Sequence, residues 1–504
     1  MGLMERIKNI FTIKQPQSLQ VDIEQLTNFE GHTFINKIWY RGDANELDQL
    51  YKQIHELIPN NNNFWSSQPS KNSNIRKIHT GLPSLIVDTL ADISTDDLDD
   101  IEVEKRQEEW DEIASSDENN IKDLVRNAVA NILWSGDGAF KWSVDTDVSK
   151  YPIIEFYNAE RVEYECKRGR LIAIIFKTQK IIKSKKYELR ERYDKKGITY
   201  SLLDEDKKEL DITKFDELKE YHKPVINKAE FMMARPFMLR KSGKFENRGK
   251  SIFDGKLDNF DAFDEIWSNW MLAVRKGQIK EYIPDCYVPR DPKTGMILRA
   301  NDFDNAYIVG SDAGENAKNT IMTTQGDIQY EALLNSYITA LDQCLQGLIS
   351  PSTLGIDTKK LDNAEAQREK EKTTLYKRNQ IVEVLEEALK DIVDITFKVL
   401  DNMNGIAPSD TKATITFGGY ANPSFEAQVE TVGKASTATI MSVEAQVDEL
   451  WGDTKDEDWK AEEVKRIKYE KGIEVMDEPA INQDLDLIEN EIDTEEGDDD
   501  VQDR

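Results

Sequence analysis

The strongest constraint on this chain is a pair of apolar stripes at helical spacing, carried by residues 258–349 and separated by a polar, turn-rich insert. In the first stripe Phe260, Phe263, Trp267, Trp270 and Val274 recur three and four residues apart, which lines large side chains along one helix face. In the second, Tyr330, Leu333, Leu334, Tyr337, Ile338, Leu341, Leu345 and Leu348 repeat the pattern. Such stripes must be covered, and the two helices can cover each other by packing lengthwise as an outgoing and a returning arm. The chain then leaves a body, builds a small module and comes back.

The module between the arms contains Pro289-Arg290-Asp291-Pro292, Thr294-Gly295 and Gly310-Ser311-Asp312, with short apolar runs at 296–298 and 306–309. That mixture predicts strands and turns. Its apolar content is too small for an independent core, so completion by neighbouring copies is the expectation for assembly. After the returning arm, residues 350–357 carry a helix stop. Residues 363–400 then read as one long helix, charged nearly all round in its first half, with a core face at Ile381, Leu385, Leu389, Ile392, Val393 and Leu400. The charged half is expected to face solvent, a wet lumen or a subunit boundary.

Upstream, residues 21–57 are helix-prone, with Trp39, Tyr40, Leu47, Leu50, Tyr51 and Ile54 as apolar anchors, and the Asn run after Pro59 is a loop. Within 75–93 an apolar-faced helix is expected to begin at Leu82, with Pro83 in its first turn, and another helix is expected over 121–134 with Leu124, Val125, Val129 and Leu133 inward. The period then changes. Runs at 139–144, 153–157, 161–165, 171–177, 187–193 and 198–203, with 231–239 as a last strand, predict one mainly antiparallel sheet region over about 139–239, with Lys186, Glu188 and Arg190 on its wet face. Downstream come a strand at 413–417 and three helices, the last opened by a Thr454-x-x-Glu457 capping box. The fold class is α+β and predominantly helical.

Charge narrows the function. The chain carries 96 Asp plus Glu against 66 Lys plus Arg, a net charge of -30, which argues against a protein that wraps nucleic acid tightly and permits one that DNA slides past. Residues 483–504 are nearly all acid and spacer and are expected to be disordered. Cys166, Cys286 and Cys344 lie far apart without metal spacing, so structural thiols in a reducing compartment are expected. No apolar run is long enough to span a membrane, and the first residues match neither a signal peptide nor a myristoylation site. The expectation is a soluble chain, intracellular when made.

No catalytic constellation emerges. Gly-x-Ser-x-Gly and His-Glu-x-x-His are absent, and the imidazoles are limited to His32, His55, His79 and His222, of which His79 reads as a cap or packing residue. Asp96, Asp97, Asp99 and Asp100 read as a solvated charge run, without calcium-loop spacing. Gly249-Lys250-Ser251 lacks the upstream glycine of a phosphate-binding loop and reads as a turn into the helix starting near Asp258, whose acids Asp258, Asp261 and Asp264 suit the positive end of the helix dipole. Basic residues cluster at Lys180, Lys183, Lys185 and Lys186, at Arg240, Lys241, Lys244, Arg248 and Lys250, and at Lys359 and Lys360. No enzyme activity, metal or cofactor is expected.

Taken in order, Gly249-Lys-Ser-Ile-Phe253, Leu257-Asp-Asn-Phe-Asp-Ala-Phe-Asp-Glu-Ile-Trp267, the Pro289-rich insert, the returning helix, the loop at 350–366 and the long helix resemble a tailed-bacteriophage portal protein, of the type found in siphophages of Gram-positive hosts. The resemblance spans about 75–472 and rests on the order of elements. It implies a portal fold: residues 1–257 as the N-terminal part of a wing, stem helices at 258–283 and 328–349, a clip at 284–327, a tunnel loop at 350–363, the rest of the wing at 364–421 and a helical crown at 422–482, before the acidic tail. Phe260, Phe263, Trp267, Trp270, Val274, Leu334, Ile338, Leu341 and Leu345 become the stem packing, and Lys359 and Lys360 the DNA-facing candidates of the tunnel loop.

The function so implied is a ring of twelve subunits at one capsid vertex of the virion, assembled in the host cytoplasm, through which double-stranded viral DNA is packaged and ejected without sequence specificity. Its implied partners are the terminase motor, head-completion adaptors, scaffold and major capsid protein, with no membrane. Two other readings stay open. One is an oligomeric virion structural or assembly protein without a central channel, and the other a metal-dependent nuclease built on carboxylates such as Asp96 and Asp97.

Overall fold

A computed structural model describes residues 28–58, 62–67, 75–96, 98–278, 280–284, 290–296, 307–310, 322–356, 364–418, 425–452 and 455–472. The acidic tail, Cys286, Asp97, Thr454, Lys359 and Lys360 lie outside them. The class is α+β, and the chain divides into two units, residues 1–420 and 421–504.

The first unit opens with two helices whose ends are written in the sequence. Helix α1 (Phe29–Arg41) is capped by Asn28, whose side chain accepts from the Gly31 N–H at 2.8 Å, and it ends on Gly42 in the left-handed region. Helix α2 (Ala44–Leu57) is capped by Asp43. Helix α3 (Leu82–Thr95) starts with Pro83 in its first turn. The short α4 (Gln107–Ala114) and the longer α5 (Ile121–Ser135) follow, α5 burying Val125, Ala128, Val129, Ile132 and Leu133.

Between α3 and α4 lies strand β1 (Leu98–Val103), so the acidic run enters a strand, with Asp96 and Asp100 exposed to solvent. It pairs antiparallel with a strand more than 300 residues away, β14 (Ala413–Phe417). A register shift between Leu98 and Asp100 breaks the period-two alternation that would have revealed it. The acids occupy a strand whose apolar members are Leu98, Ile101 and Val103.

The expected single sheet is two. Strands β2 (Asp137–Ser143) and β3 (Ile153–Asn158) join β10 (Ala234–Met238) in a three-stranded antiparallel sheet with order β10-β2-β3. A 3-10 turn at Ala159–Arg161 then redirects the chain into a six-stranded sheet: β4 (Val162–Lys167), β5 (Arg170–Ile182), β6 (Lys185–Asp194), β7 (Gly197–Leu203), β8 (Glu209–Leu210) and β9 (Val225–Ile226), the last pairing with β7. The larger sheet carries its own small cluster of Ile182, Leu189, Leu202 and Leu218.

The turn after β10 closes on the smaller sheet. Asp137, fully buried, accepts from the Gly249 N–H at 2.7 Å and, from one edge of the Arg248 guanidinium, from Nη2 at 2.8 Å and Nε at 3.0 Å. Gly136 and Gly249 meet backbone to backbone, and a Cβ on Gly249 would lie 2.1 Å from the Gly136 carbonyl oxygen. Ser251 donates to the Trp134 carbonyl at 2.7 Å at the end of α5. The Gly-Lys-Ser sequence is thus a structural closure.

Across this core runs α8 (Ala364–Met403), a helix of 40 residues, so about 60 Å long. Ile381, Leu385, Leu389, Ile392, Val393, Phe397 and Leu400 are buried along it. Trp142 of β2 donates its indole N–H to Thr396 at 2.8 Å, and Arg106 pairs with Asp401 at 2.8 Å while its guanidinium stands 4.1 Å from the centre of the Phe397 ring.

The second unit contains α9 (Phe425–Thr437), α10 (Val443–Trp451) and α11 (Glu457–Glu470). The cap of α11 is Asp456, whose carboxylate accepts from the Trp459 N–H at 2.8 Å, in place of the expected Thr454. Lys468 pairs with Glu444 at 2.6 Å between α11 and α10.

Candidate functional site

The two arms are α6 (Leu257–Lys276) and α7 (Tyr330–Leu345). They run antiparallel, since Asn259 meets Gln343 and Trp270 meets Tyr330. Helix α6 stops at Gly277, short of the expected residue 283, and Lys280–Pro284 is already a strand, β11. The reason is packing. A Cβ on Gly277 would lie 2.4 Å from Ile328, so the returning chain crosses where only glycine leaves room. Strand β11 pairs parallel with β12 (Tyr307–Gly310) and antiparallel with β13 (Met322–Thr324), forming the sheet of the insert.

One face of α6 builds an aromatic seam with α7. Tyr337 is its centre, with ring centroids 4.9 Å from Phe263, 5.7 Å from Trp267 and 5.7 Å from Trp270. Burial grades along the arm. Phe260, Phe263, Leu341 and Leu345 are buried at the body end, whereas Trp267, Trp270, Leu334 and Ile338 are half-buried further out. Val274, expected inside the seam, is 40% exposed. Helix α7 begins at Tyr330, which already faces Trp270, so no turn of α7 opposes Val274.

Another face of α6 bolts the arm to the body. Asp261 accepts from the Phe64 and Trp65 N–H groups at 2.7 and 3.1 Å. Asp264 accepts four hydrogen bonds: from the Trp65 indole at 3.1 Å, His79 Nδ1 at 2.7 Å, the Thr80 N–H at 2.9 Å and the Thr80 hydroxyl at 2.9 Å. Ser268, one turn on, accepts from the Ile78 N–H at 3.0 Å. The spacing 261, 264, 268 keeps all three on one stripe. Asp261 and Asp264, read from sequence as dipole partners, instead pin Phe64, Trp65, His79 and Thr80, and the His79 ring lies 5.5 Å from Trp39.

Electrostatics follow from burial. Burial pushes the Asp261 carboxyl up to about 6, against its two backbone N–H bonds, and Asp264 and Glu265 add to the rise. Burial likewise holds the Cys344 thiol up at about 12, and the thiol donates to the Asn259 carbonyl at 3.3 Å. At the end of α7 the Gln343 carbonyl, one of the four without an intrahelical partner, accepts from Lys256 at 2.8 Å and from Asn259 at 3.2 Å. Burial pushes the Lys256 ammonium down.

Sequence reasoning placed Asp261 and Asp264 at the helix dipole and Tyr337 in the apolar stripe, and gave none of them, nor Lys256, its observed partners. The available signal was Asp261 and Asp264 recurring three apart inside a run of Phe260, Phe263 and Trp267, where an acid on an apolar surface must be satisfied locally. Among the described residues, no group of three or more His, Cys, Asp or Glu converges as a metal site would, and no helix is long and apolar enough to cross a membrane.

No family model matches this chain, and no curated protein matches it. Among solved structures it is similar, at 10% identity and a TM-score of 0.36, to a chain in the virion of a native gene transfer agent (GTA) particle, covering 77% of this chain and 90% of that one. It is also similar to a chain in the neck of the native GTA particle computed with C12 symmetry, at 10% identity and TM-score 0.37 over 74% and 90% of the two chains. A chain from the neck of the empty GTA particle, computed with C6 symmetry, gives 11% identity and TM-score 0.37 over 71% and 87%. Likeness this distant carries no functional argument.

Proposed function

We propose that this chain is the subunit of a portal-type ring, in which α6 and α7 form the stem, the β11–β13 insert the docking clip, residues 350–363 the tunnel loop and α8 the spine of the wing. The ring has twelve copies, sits at one capsid vertex, passes double-stranded DNA during packaging and ejection, and presents its clip to the terminase motor and then to head-completion proteins. The observation that carries this is the arm. It is fixed to the body by the buried Asp261 and Asp264, yet it leaves Trp267, Trp270, Leu334 and Ile338 half-buried along its outer length. Large side chains rigidly held and incompletely covered suit burial against neighbouring copies.

Negative-stain images of the purified full-length chain test it. Annular particles with a central hole are expected, whereas filaments, closed shells or solid particles would sink it. Trp267→Asp, which puts a charge on the seam, is expected to lower ring yield sharply. Normal rings from that variant would mean that the seam does not hold the arm.

A further inference from the structure

Arg240 and Lys250 face each other across the turn that follows β10. The Lys250 N–H donates to the Arg240 carbonyl at 2.8 Å, beside an antiparallel bridge between Lys241 and Gly249. Residues directly opposed in an antiparallel pair share a face, so two cations are held side by side. That face meets α8. Arg235 of β10 pairs with Asp391 at 2.6 Å, and further along Arg240 reaches Gln380, whose amide oxygen accepts from the guanidinium. Lys377, nearly one turn beyond Gln380, enters the same cluster, its ammonium pushed down to about 8 by burial and then by Arg240 and Lys250.

None of the three has an acidic partner among the described residues. In a chain with a net charge of -30 this is unexpected, because one acid nearby would relieve the repulsion of like charges held together. Acids elsewhere do little. At physiological salt the screening length is roughly 8 Å, so the local potential belongs to the cluster. Arg240 and Lys250 are exposed, and exposed Lys241 and Lys244 extend the positive charge along the same turn.

We propose that Arg240, Lys250 and Lys377 form a binding site for the phosphate backbone of duplex nucleic acid. Open, spaced cations with an arginine fork and an amide suit a run of phosphates contacted without reading bases. The cluster lies beside the first residues of the 350–363 loop, because Thr374, three residues before Lys377, accepts from the Ser350 N–H at 2.8 Å and meets the Thr353 hydroxyl at 3.3 Å. All three cations come from one copy, so the site exists whether or not the chain assembles.

The test uses the full chain and a short fluorescently labelled duplex, with anisotropy read at salt between about 50 and 200 mM. Relative to wild type, Arg240→Gln/Lys250→Gln/Lys377→Gln is expected to lose at least about tenfold in affinity at low salt. Its plot of log affinity against log salt should be shallower by about three, near one per cation. The charge-preserving Arg240→Lys/Lys250→Arg/Lys377→Arg variant should stay within about twofold of wild type, because the contact is to charge and not to bases. If the triple variant fails a melting check, Lys377→Gln alone should reduce the slope by about one. Unchanged affinity and slope would overturn the proposal. So would inorganic phosphate binding that these variants abolish while the wild type ignores the duplex.

Discussion

At the scale of single residues, buried polarity is concentrated at the Asp137 closure and at the root of α6. Asp264 satisfies four donors there, and removing its carboxylate strands Thr80 N–H, the Thr80 hydroxyl, the Trp65 indole and His79 Nδ1 in a nearly dry site. An unsatisfied buried donor costs about 1–3 kcal/mol, and a domain has only about 5–15 kcal/mol in total. Asp264→Ala is therefore expected to cost at least about 3 kcal/mol, read as a loss of soluble protein or a large fall in melting temperature.

Asp261 gives a pH signature. Its folded carboxyl sits at about 6 against an ordinary 3.8, so folding favours its protonated form. The stabilisation is complete below about 3.8, decays as pH rises through 6 and is gone above it. A carboxyl at about 6 in place of 3.8 corresponds to about 3 kcal/mol, of which roughly 2 kcal/mol falls between pH 4 and 7. Denaturation of wild type and Asp261→Asn across that range should give a difference of this size that vanishes toward the acid end. Parallel pH profiles would show that the two backbone N–H bonds keep the carboxylate ionised at no cost.

At the scale of elements, helices with a long apolar stripe and most strands were legible, whereas strand β1 and the end of α6 were not. The stripes of α6, α7 and the second half of α8 appear directly in the spacing of Phe260, Phe263, Leu341, Leu345, Ile381 and Leu385, because burial on one face has a fixed period. Strand β1 was hidden by its bulge and by a partner at Ala413–Phe417. The end of α6 was hidden too, because periodicity continues past Lys276 and only the approach of Ile328 stops the helix at Gly277. Gly277→Ala tests that crossing. Adding the methyl group displaces the Ile328 side chain from its seat, so the expected outcome is earlier proteolytic cleavage within the insert with little change in melting of the body. Resistance equal to wild type would mean that Ile328 gives way freely.

At the scale of the whole molecule, the proposed ring requires that chains this acidic lie side by side. A subunit of net charge -30 repels its copies, and the reach of that repulsion is set by salt, about 30 Å at 0.01 M and 3 Å at 1 M. If the half-buried seam residues supply the attraction, apolar burial draws copies together while charge opposes it, and raising salt weakens only the opposition. Assembly is therefore expected to increase with ionic strength, as seen by sedimentation velocity. Residues 483–504 hold eleven acids and one arginine, so they carry ten of the thirty net negative charges. Deleting them should move the assembly transition to lower salt without changing the seam. Rings that fall apart as salt rises would instead identify intersubunit ion pairs as the dominant attraction, and the half-buried tryptophans would lose their assigned role.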